Sequence, residues 1–207
     1  TEDVKRTEME LWEKIKSKSL GGRRTGLGIT AEGDMLAALG MRYGSDKAID
    51  FAVEVQKSLA VEAYRSSVNM AAERGAFPIY DTKREENNPM IDRIRTADPA
   101  LYELMSKVGR RNISLLTIAP TGTTSLMTQT TSGIEPVFLP FYIRRRKVNP
   151  NDKNVVITFR DDVGDCWEEY YVFHHKFLTW CEVNGIPAED VKKLSVKEVE
   201  ALVEKSP

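Results

Sequence analysis

The sequence predicts an α/β fold, and three observations predict it. The run Asn112-Ile113-Ser114-Leu115-Leu116-Thr117-Ile118 is apolar and β-branched without clean alternation, the pattern of a strand covered on both faces in a parallel sheet. Residues 46–74 carry Ala48, Ile49, Ala52, Val53, Leu59, Ala60, Ala63 and Ala71 at three- and four-residue steps. At about 1.5 Å per residue that helix is roughly 43 Å long, a length suited to flanking a large barrel. Through residue 140, strand-like segments are separated by helices, as crossover connections require.

The first element is a charged amphipathic helix over residues 4–18, with Met9, Leu11, Trp12 and Ile15 on one side and Gly21-Gly22 as a positive-φ stop. Arg23 to Thr30 follows as a short strand-like segment whose glycines permit close packing. A short helix spans 31–39, and Gly40 to Gly44 makes the turn. The long helix has Ser45 as N-cap and Gly75 beyond its end. Its alanine stripe reads as close packing of helix on sheet.

Residues 76–97, with Pro78 and Pro89, read as a polar loop, and a helix at 98–108 starts near Asp98-Pro99. After the buried strand comes a helix from Thr124 to Thr131. Beyond residue 140 the texture changes. Phe141 to Lys147 and Val155 to Phe159 flank the turn-rich Asn149-Pro150-Asn151-Asp152 and predict a hairpin. A helix near 167–183 and polar helical segments at 187–205 complete the chain, which stops at Lys205-Ser206-Pro207. Residues 1–140 and 141–207 therefore read as two portions.

Composition excludes several function classes. Hydrophobic residues make up 41% and charged residues 29% of the 207, as in soluble globular proteins. Thirty basic and 31 acidic side chains leave a net charge of −1, so no broad field points to nucleic acid or a membrane surface. No stretch approaches the roughly 20 apolar residues of a spanning helix. The start, Thr1-Glu2-Asp3, has no signal-peptide pattern, and a cytoplasmic location is expected. Beginning on Thr fits either a processed product or a piece of a longer protein. Cys166 and Cys181 are 15 apart with no zinc spacing and read as structural or surface thiols.

Chemistry concentrates in Ala119-Pro120-Thr121-Gly122-Thr123-Thr124-Ser125, between the buried strand and the next helix. Ligands of α/β sheets bind outside the carboxyl ends of strands. Pro120 fixes one backbone angle, and Gly122 lets the main chain approach an anion. Amides at the helix start lack intrahelical acceptors and sit at the positive end of the helix dipole. Hydroxyls of Thr121, Thr123, Thr124 and Ser125 add neutral donors. The segment lacks the lysine of a GxxxxGK[ST] loop. Spacing alone leaves two readings open, ordinary helix capping and a phosphate cradle.

The stretch Arg111 to Ser125, followed by Thr131-Ser132-Gly133-Ile134-Glu135-Pro136-Val137-Phe138, resembles the substrate-phosphate segment of ribonucleotide reductase large subunits. Its form is most similar to the adenosylcobalamin-dependent class; class I enzymes have a more Ser/Glu-rich loop here. Arg23 to Thr30, the long helix and Glu73-Arg74-Gly75-Ala76-Phe77-Pro78 resemble the family upstream, and some members share the arginine-rich strand and the insertion near Asn149. The resemblance covers roughly residues 20–180 in the family's order.

That resemblance implies part of a ten-stranded α/β barrel of the ribonucleotide reductase and glycyl-radical type, carried by 1–140, with 141–207 as a hairpin insertion and helical segment and the barrel incomplete beyond 207. It implies reduction of ribonucleotides to 2′-deoxyribonucleotides for DNA synthesis: a cysteine thiyl radical removes the 3′-hydrogen, the 2′-hydroxyl leaves with acid assistance, and a cysteine pair supplies electrons. By position, Pro120, Thr121, Gly122, Thr123, Thr124 and Ser125 would hold the substrate's phosphates. The family's radical cysteine lies in an Asn-x-Cys-x-Glu setting that is absent from this sequence, and neither Cys166 nor Cys181 matches a catalytic position. The isolated chain is expected to be inactive, a fragment or divided-gene chain partnered by the polypeptide carrying those cysteines. A homodimer of the complete subunit is left open, as is a non-catalytic phosphate-binding module derived from the fold. The complete enzyme would use adenosylcobalamin or, alternatively, a separate metal-containing radical-generating subunit.

Three lesser features are weighed with these. Arg144-Arg145-Arg146-Lys147 is a nucleic-acid patch or, more in keeping with its strand alternation, a solvated edge strand. His174-His175 lacks the convergent ligands of a metal site. Glu135 either touches a ligand or caps its loop.

Overall fold

Side-chain caps start some of the helices and not others. In a computed structural model describing residues 1–149, 151–153 and 155–206, α1 spans Glu2–Gly22, α2 Glu32–Ala38 and α3 Asp46–Arg74. Ser45 caps α3 by accepting from the Ala48 amide, and Gly75 ends it at φ 79°. α1 does not stop at its glycine pair. Both glycines are helical, and the left-handed residue is Arg23 at φ 48°, whose amide donates to the Ser19 carbonyl. Gly22 is used for proximity instead, since a Cβ there would stand 3.1 Å from Ile113 Cγ2. The predicted apolar side of α1 faces solvent, with Met9 and Trp12 about two-thirds exposed.

The segment read as loop holds a 3₁₀ turn at Thr82–Glu85 and a helix, α4, at Pro89–Ala97. Pro89 occupies the first helical turn, where a missing N–H costs nothing, and Asn88 accepts from the Met90 amide. Ile91 and Ile94, three apart, enter the core. α5 spans Pro99–Val108, with Asp98 accepting from Leu101 N. The main core joins Ala60, Tyr64 and Val68 of α3 with Ile91, Ile94, Leu101, Met105 and Leu115. The alanine-rich face of α3 thus packs on helices as well as on the strand-like segment.

Under that core lies a buried polar brace. Ser67 Oγ donates to Asn112 Oδ1 at 2.9 Å and accepts from the Arg111 and Asn112 amides, while Asn112 Nδ2 donates to the Arg23 carbonyl. Asn112→Ala would strand that carbonyl and the Ser67 proton, at a cost of about 1–3 kcal/mol. Urea unfolding should show a lowered midpoint at unchanged slope. A variant within about 0.5 kcal/mol of the parent would refute the bracing role.

The parallel sheet expected around residues 112–118 reduces, among the described residues, to one pairing. Leu27 and Leu116 form a parallel bridge, with Leu27 N donating to the Leu115 carbonyl at 2.7 Å and Thr117 N to the Leu27 carbonyl at 3.0 Å. The expected coverage on both faces is absent at the end of the run, where Ile118 is 69% exposed. The helix after it, α6, spans Gly122–Thr128, starting and ending earlier than predicted and closing on Gln129 at φ 55°.

The predicted hairpin is paired differently. β1 (Phe141–Lys147) pairs antiparallel with β3 (Cys166–Phe173), and β2 (Phe159–Arg160) pairs with β3's other edge, giving the order β1-β3-β2. Residues 166–173 are therefore strand, not the first half of a helix. Trp167, Tyr170, Tyr171, Val172 and Phe173 suit a pleated surface, and the register sets Arg145 opposite Glu169 and Arg146 opposite Glu168. Ion pairs form at both positions. Pro150, within the predicted turn, and Pro207 lie outside the described residues. α7 spans His175–Val183, α8 Ala188–Val191 and α9 Val196–Val203. They enclose a second core of Phe177, Cys181, Val191 and Val199, flanked by Phe141 and Phe173.

Candidate functional site

The site begins where two main chains come unusually close. A Cβ at Gly26 would stand 2.9 Å from Thr117 Cγ2, and one at Gly28 would overlap the Thr117 carbonyl oxygen. These two glycines let the 25–28 segment lie directly against 114–117, so the chain leaving Ile118 emerges beside Thr30.

Residues 119–121 then turn the chain into α6. Thr121 is left-handed, φ 38° and ψ 28°, an uncommon state for a β-branched residue that costs about 1–3 kcal/mol. Two partners hold it: its Oγ1 accepts from the Gly133 amide at 2.8 Å and lies 3.1 Å from Thr30 Oγ1. The 131–136 segment supplies that support. Thr131 and Asp34 exchange amide-to-side-chain bonds at 3.1 and 3.3 Å, Glu32 N donates to the Gly133 carbonyl, and a Cβ at Gly33 would stand 2.6 Å from Pro136 Cα. The 30–34, 119–125 and 131–136 segments therefore lock together around Thr121.

What this frame leaves free is the start of α6. Ser125 N donates to the Thr121 carbonyl, whereas the amides of Gly122, Thr123 and Thr124 donate to no acceptor among the described residues. All three residues are exposed, as is Pro120. A Cβ at Gly122 would meet nothing within 4 Å, so open space adjoins those amides. The hydroxyls divide into two sets. Ser125 is buried and its Oγ donates to the Gly122 carbonyl, and Thr121 is engaged as above. Thr123 and Thr124 present theirs to solvent.

The other singled-out residues sit elsewhere. Glu135 accepts from Ser132 Oγ at 2.7 Å, and that bond holds its carboxyl below the usual range; the group braces its own loop. The His174 and His175 rings lie 4.9 Å apart, tilted by 32°, at the start of α7. Burial lowers the His174 imidazole, with the Asp34 carboxylate opposing. Arg144 to Lys147 lie on the edge strand β1, where Glu168, Glu169, Asp152 and Asp165 answer three of the four charges. Cys166 is half-buried, and Cys181 is buried in the second core, which pushes its thiol up and keeps it unreactive. Among the described residues no group of three or more His, Cys, Asp or Glu converges as a metal site, and no helix is long and apolar enough to cross a membrane.

The sequence does not mark the supports: Thr30 and Asp34 carry no local signal, and nothing local marks Thr121, read as a phosphate-holding residue, as the strained and braced one. Only the hydroxyl-bearing side chains, spread over a hundred positions, hint at them.

Comparison with known proteins gives one consistent family. The model of the ribonucleotide reductase barrel domain matches residues 4–191. A vitamin B12-dependent ribonucleoside-diphosphate reductase of Mycobacterium tuberculosis is 34% identical over 123 residues, 59% of this chain and 15% of that protein. The protein of the same name from Thermoplasma acidophilum is 31% identical over 133 residues, 64% of this chain and 15% of its own length. A ribonucleoside-diphosphate reductase subunit alpha of Chlamydia pneumoniae is 29% identical over 148 residues, 62% and 14% respectively. The chain thus spans about 15% of the length of the curated relatives it matches.

Proposed function

The chain belongs to the ribonucleotide reductase barrel-domain family, and on that premise we propose that it supplies the substrate-phosphate turn of a ribonucleotide reductase catalytic subunit. The radical and reducing cysteines lie on the rest of that subunit, because the two cysteines here sit on β3 and in the second core, where Cys181 is sealed. The observation that carries the reading is the set of three unpaired, exposed amides at Gly122, Thr123 and Thr124, held at the end of a parallel pairing by a strained but braced Thr121.

In this reading the substrate is a ribonucleoside diphosphate, as the relatives' names indicate. Its terminal phosphate oxygens accept from the amides of 122–124 and from the hydroxyls of Thr123 and Thr124. Pro120, Thr121 and Ser125 keep the turn's shape. Charge-assisted bonds of this kind gain from the positive end of the helix. Fixing the phosphates fixes the distance from ribose to the attacking sulfur, which a radical step needs near contact. Residues 1–140 form the part of the ten-stranded barrel, with 22–28 and 113–118 as two of its parallel strands, and 141–207 form the appended unit; two separate cores support that division.

The complete enzyme takes adenosylcobalamin as its radical source, by analogy with relatives named vitamin B12-dependent. The chain's two histidines pack against each other at α7, and neither lines the groove beside α3. We assign its binding to the remaining polypeptide. The location is cytoplasmic.

The test is reconstitution. Mixed with the same organism's polypeptide that carries the radical and reducing cysteines, the chain should give a complex that reduces ribonucleoside diphosphates, while the chain alone reduces none. A complex that forms no deoxynucleotide would overturn the reading. So would micromolar nucleotide binding by the isolated chain, the mark of a self-sufficient binding module.

A further inference from the structure

The amino ends of the two paired segments carry a cluster of positive charge that the phosphate turn does not use. Residues 22–27 and 113–117 run side by side, from Ile113 N donating to the Gly22 carbonyl to Thr117 N donating to the Leu27 carbonyl. The turn follows their carboxyl ends. At the other end, about six extended residues or roughly 20 Å away, Lys18, Ser19, Arg23 and Arg24 line a pocket of about 400 Å³ together with Ile79 and Ile113.

Arg23 also belongs to a second group of charges. Its Nη1 donates to the Ala76 carbonyl at 3.3 Å, and Arg111 Nη1 donates to the neighbouring carbonyls of Arg74 and Gly75 at 2.8 and 2.9 Å. Three consecutive carbonyls at the end of α3 thus draw two guanidiniums together. Desolvation and the like charges of Arg23 and Arg74 push the Arg111 guanidinium down.

Counter-charge is missing here. Among the described residues Lys18, Arg23, Arg24 and Arg111 take part in no ion pair, and the carboxylate that Arg74 meets is the exposed Glu73 at 3.9 Å. From Lys14 to Arg24 the sequence has five basic residues and no acidic one. The negative end of a helix accounts for a cation or two. It does not account for charges that repel one another with donors to spare: Nε and Nη2 of both Arg23 and Arg111 make no hydrogen bond among the described residues.

We propose that this pocket is an oxyanion site separate from the substrate turn, which takes the phosphate group of a free phosphate ion or of a small phosphorylated molecule on Arg23, Arg24, Lys18 and the Ser19 hydroxyl. Guanidinium forks match phosphate oxygens in geometry, and so many uncompensated charges favour a dianion over a single carboxylate. Arg111 and Arg74 do not line the pocket and act by raising the positive potential around Arg23. The inference does not depend on the functional reading, and the two fail separately.

Titration of inorganic phosphate into the full chain, at a constant ionic strength of about 0.15 M and read by amide chemical shifts, tests it. The Ser19, Arg23 and Ile113 amides should shift saturably with a Kd on the order of 1 mM. Ribose 5-phosphate run in parallel separates the sources: tighter binding of the ester assigns a phosphorylated molecule, and equal or weaker binding assigns the free ion. Arg24→Glu, at an exposed residue without a hydrogen bond among the described residues, should keep the parent's melting temperature and weaken phosphate at least about tenfold. Lys197→Glu, an equal change of charge on α9, should bind phosphate like the parent. So should Gly122→Asp; if that variant lost the binding, the ion would sit on the turn and the separate site would be wrong. Shifts that grow without saturating would mean general screening of surface charge and overturn the site. Shifts that follow protein concentration and not phosphate would give the basic end of α1 to the acidic end of α1 in a second copy, which overturns it as well. Phosphate binding that vanishes in an active assembled enzyme would give the cluster to a carboxylate of the partner polypeptide, and the site would fall while the functional reading stands.

Discussion

Gly122→Asp should leave the chain folded and reduce the activity of the assembled enzyme by about two orders of magnitude. The folded chain has room for the change, because a Cβ at Gly122 meets nothing within 4 Å and the residue already has helical backbone angles. An acidic side chain in the first turn of a helix is favoured by the dipole, by about 0.3–1 kcal/mol. Stability should therefore hold or rise slightly. At the site the sign reverses. A carboxylate about 5 Å from a phosphate oxygen repels it by about 3 kcal/mol at an effective dielectric near 20. That corresponds to roughly a 150-fold loss in kcat/KM, with thermal melting as the companion measurement. Gly122→Ala, which adds bulk without charge, should cost much less. If Gly122→Asp kept full activity, the turn would be a helix cap and the phosphate reading would be lost.

How much of the fold could be read beforehand depended on the range of the interactions that decide it. α3 was legible from end to end because Ser45 and Gly75 act on backbone groups within four residues of themselves. α4 was hidden by Pro89, which marks a loop as readily as it marks a first helical turn; only the burial of Ile91 and Ile94 separates the two. β3 was misread as helix for a longer-range reason. Glu168 and Glu169 look like a solvated helix face until Arg146 and Arg145, more than twenty residues away, are aligned opposite them. The parallel run at 112–118 was legible as apolar, but its missing coverage was not, since hydropathy does not say which neighbours are present.

The candidate site was legible as a segment and not as a mechanism. Gly122 reads as the residue that lets an anion approach the main chain, and open space does adjoin it, while the strained angle at Thr121 has no signal in the sequence. The four hydroxyls looked equivalent, and the fold separates them into two that brace and two that face solvent. That division depends on Thr30, Gly133 and Asp34, contacts that no spacing rule reaches.

Arg110→Met should destabilise the chain by about 3–5 kcal/mol, the range for removing one partner of a buried ion pair. Arg110 is 3% exposed and Glu85 14%. Nη2 donates to Glu85 Oε1 at 3.1 Å and to the Ile113 carbonyl, and Nε donates to the Asn112 carbonyl. Nη1 approaches Oε2 at 3.0 Å as a charge contact without hydrogen-bond alignment. Phe77, Tyr64 and Tyr80 surround the guanidinium within 6 Å of their ring centres. Methionine fills the volume but leaves the Glu85 carboxylate without its counter-charge and two carbonyls without a donor. Chain length makes each kcal/mol worth about 2–4 °C, so the melting temperature should fall by on the order of 10 °C. Adding Glu85→Gln removes the stranded charge and should restore part of the loss, a coupling that a double-mutant cycle isolates. A single variant melting within a few degrees of the parent, or a double variant no better than the single, would show that the aromatic enclosure rather than the charge pair holds the 77–85 segment against residues 110–113.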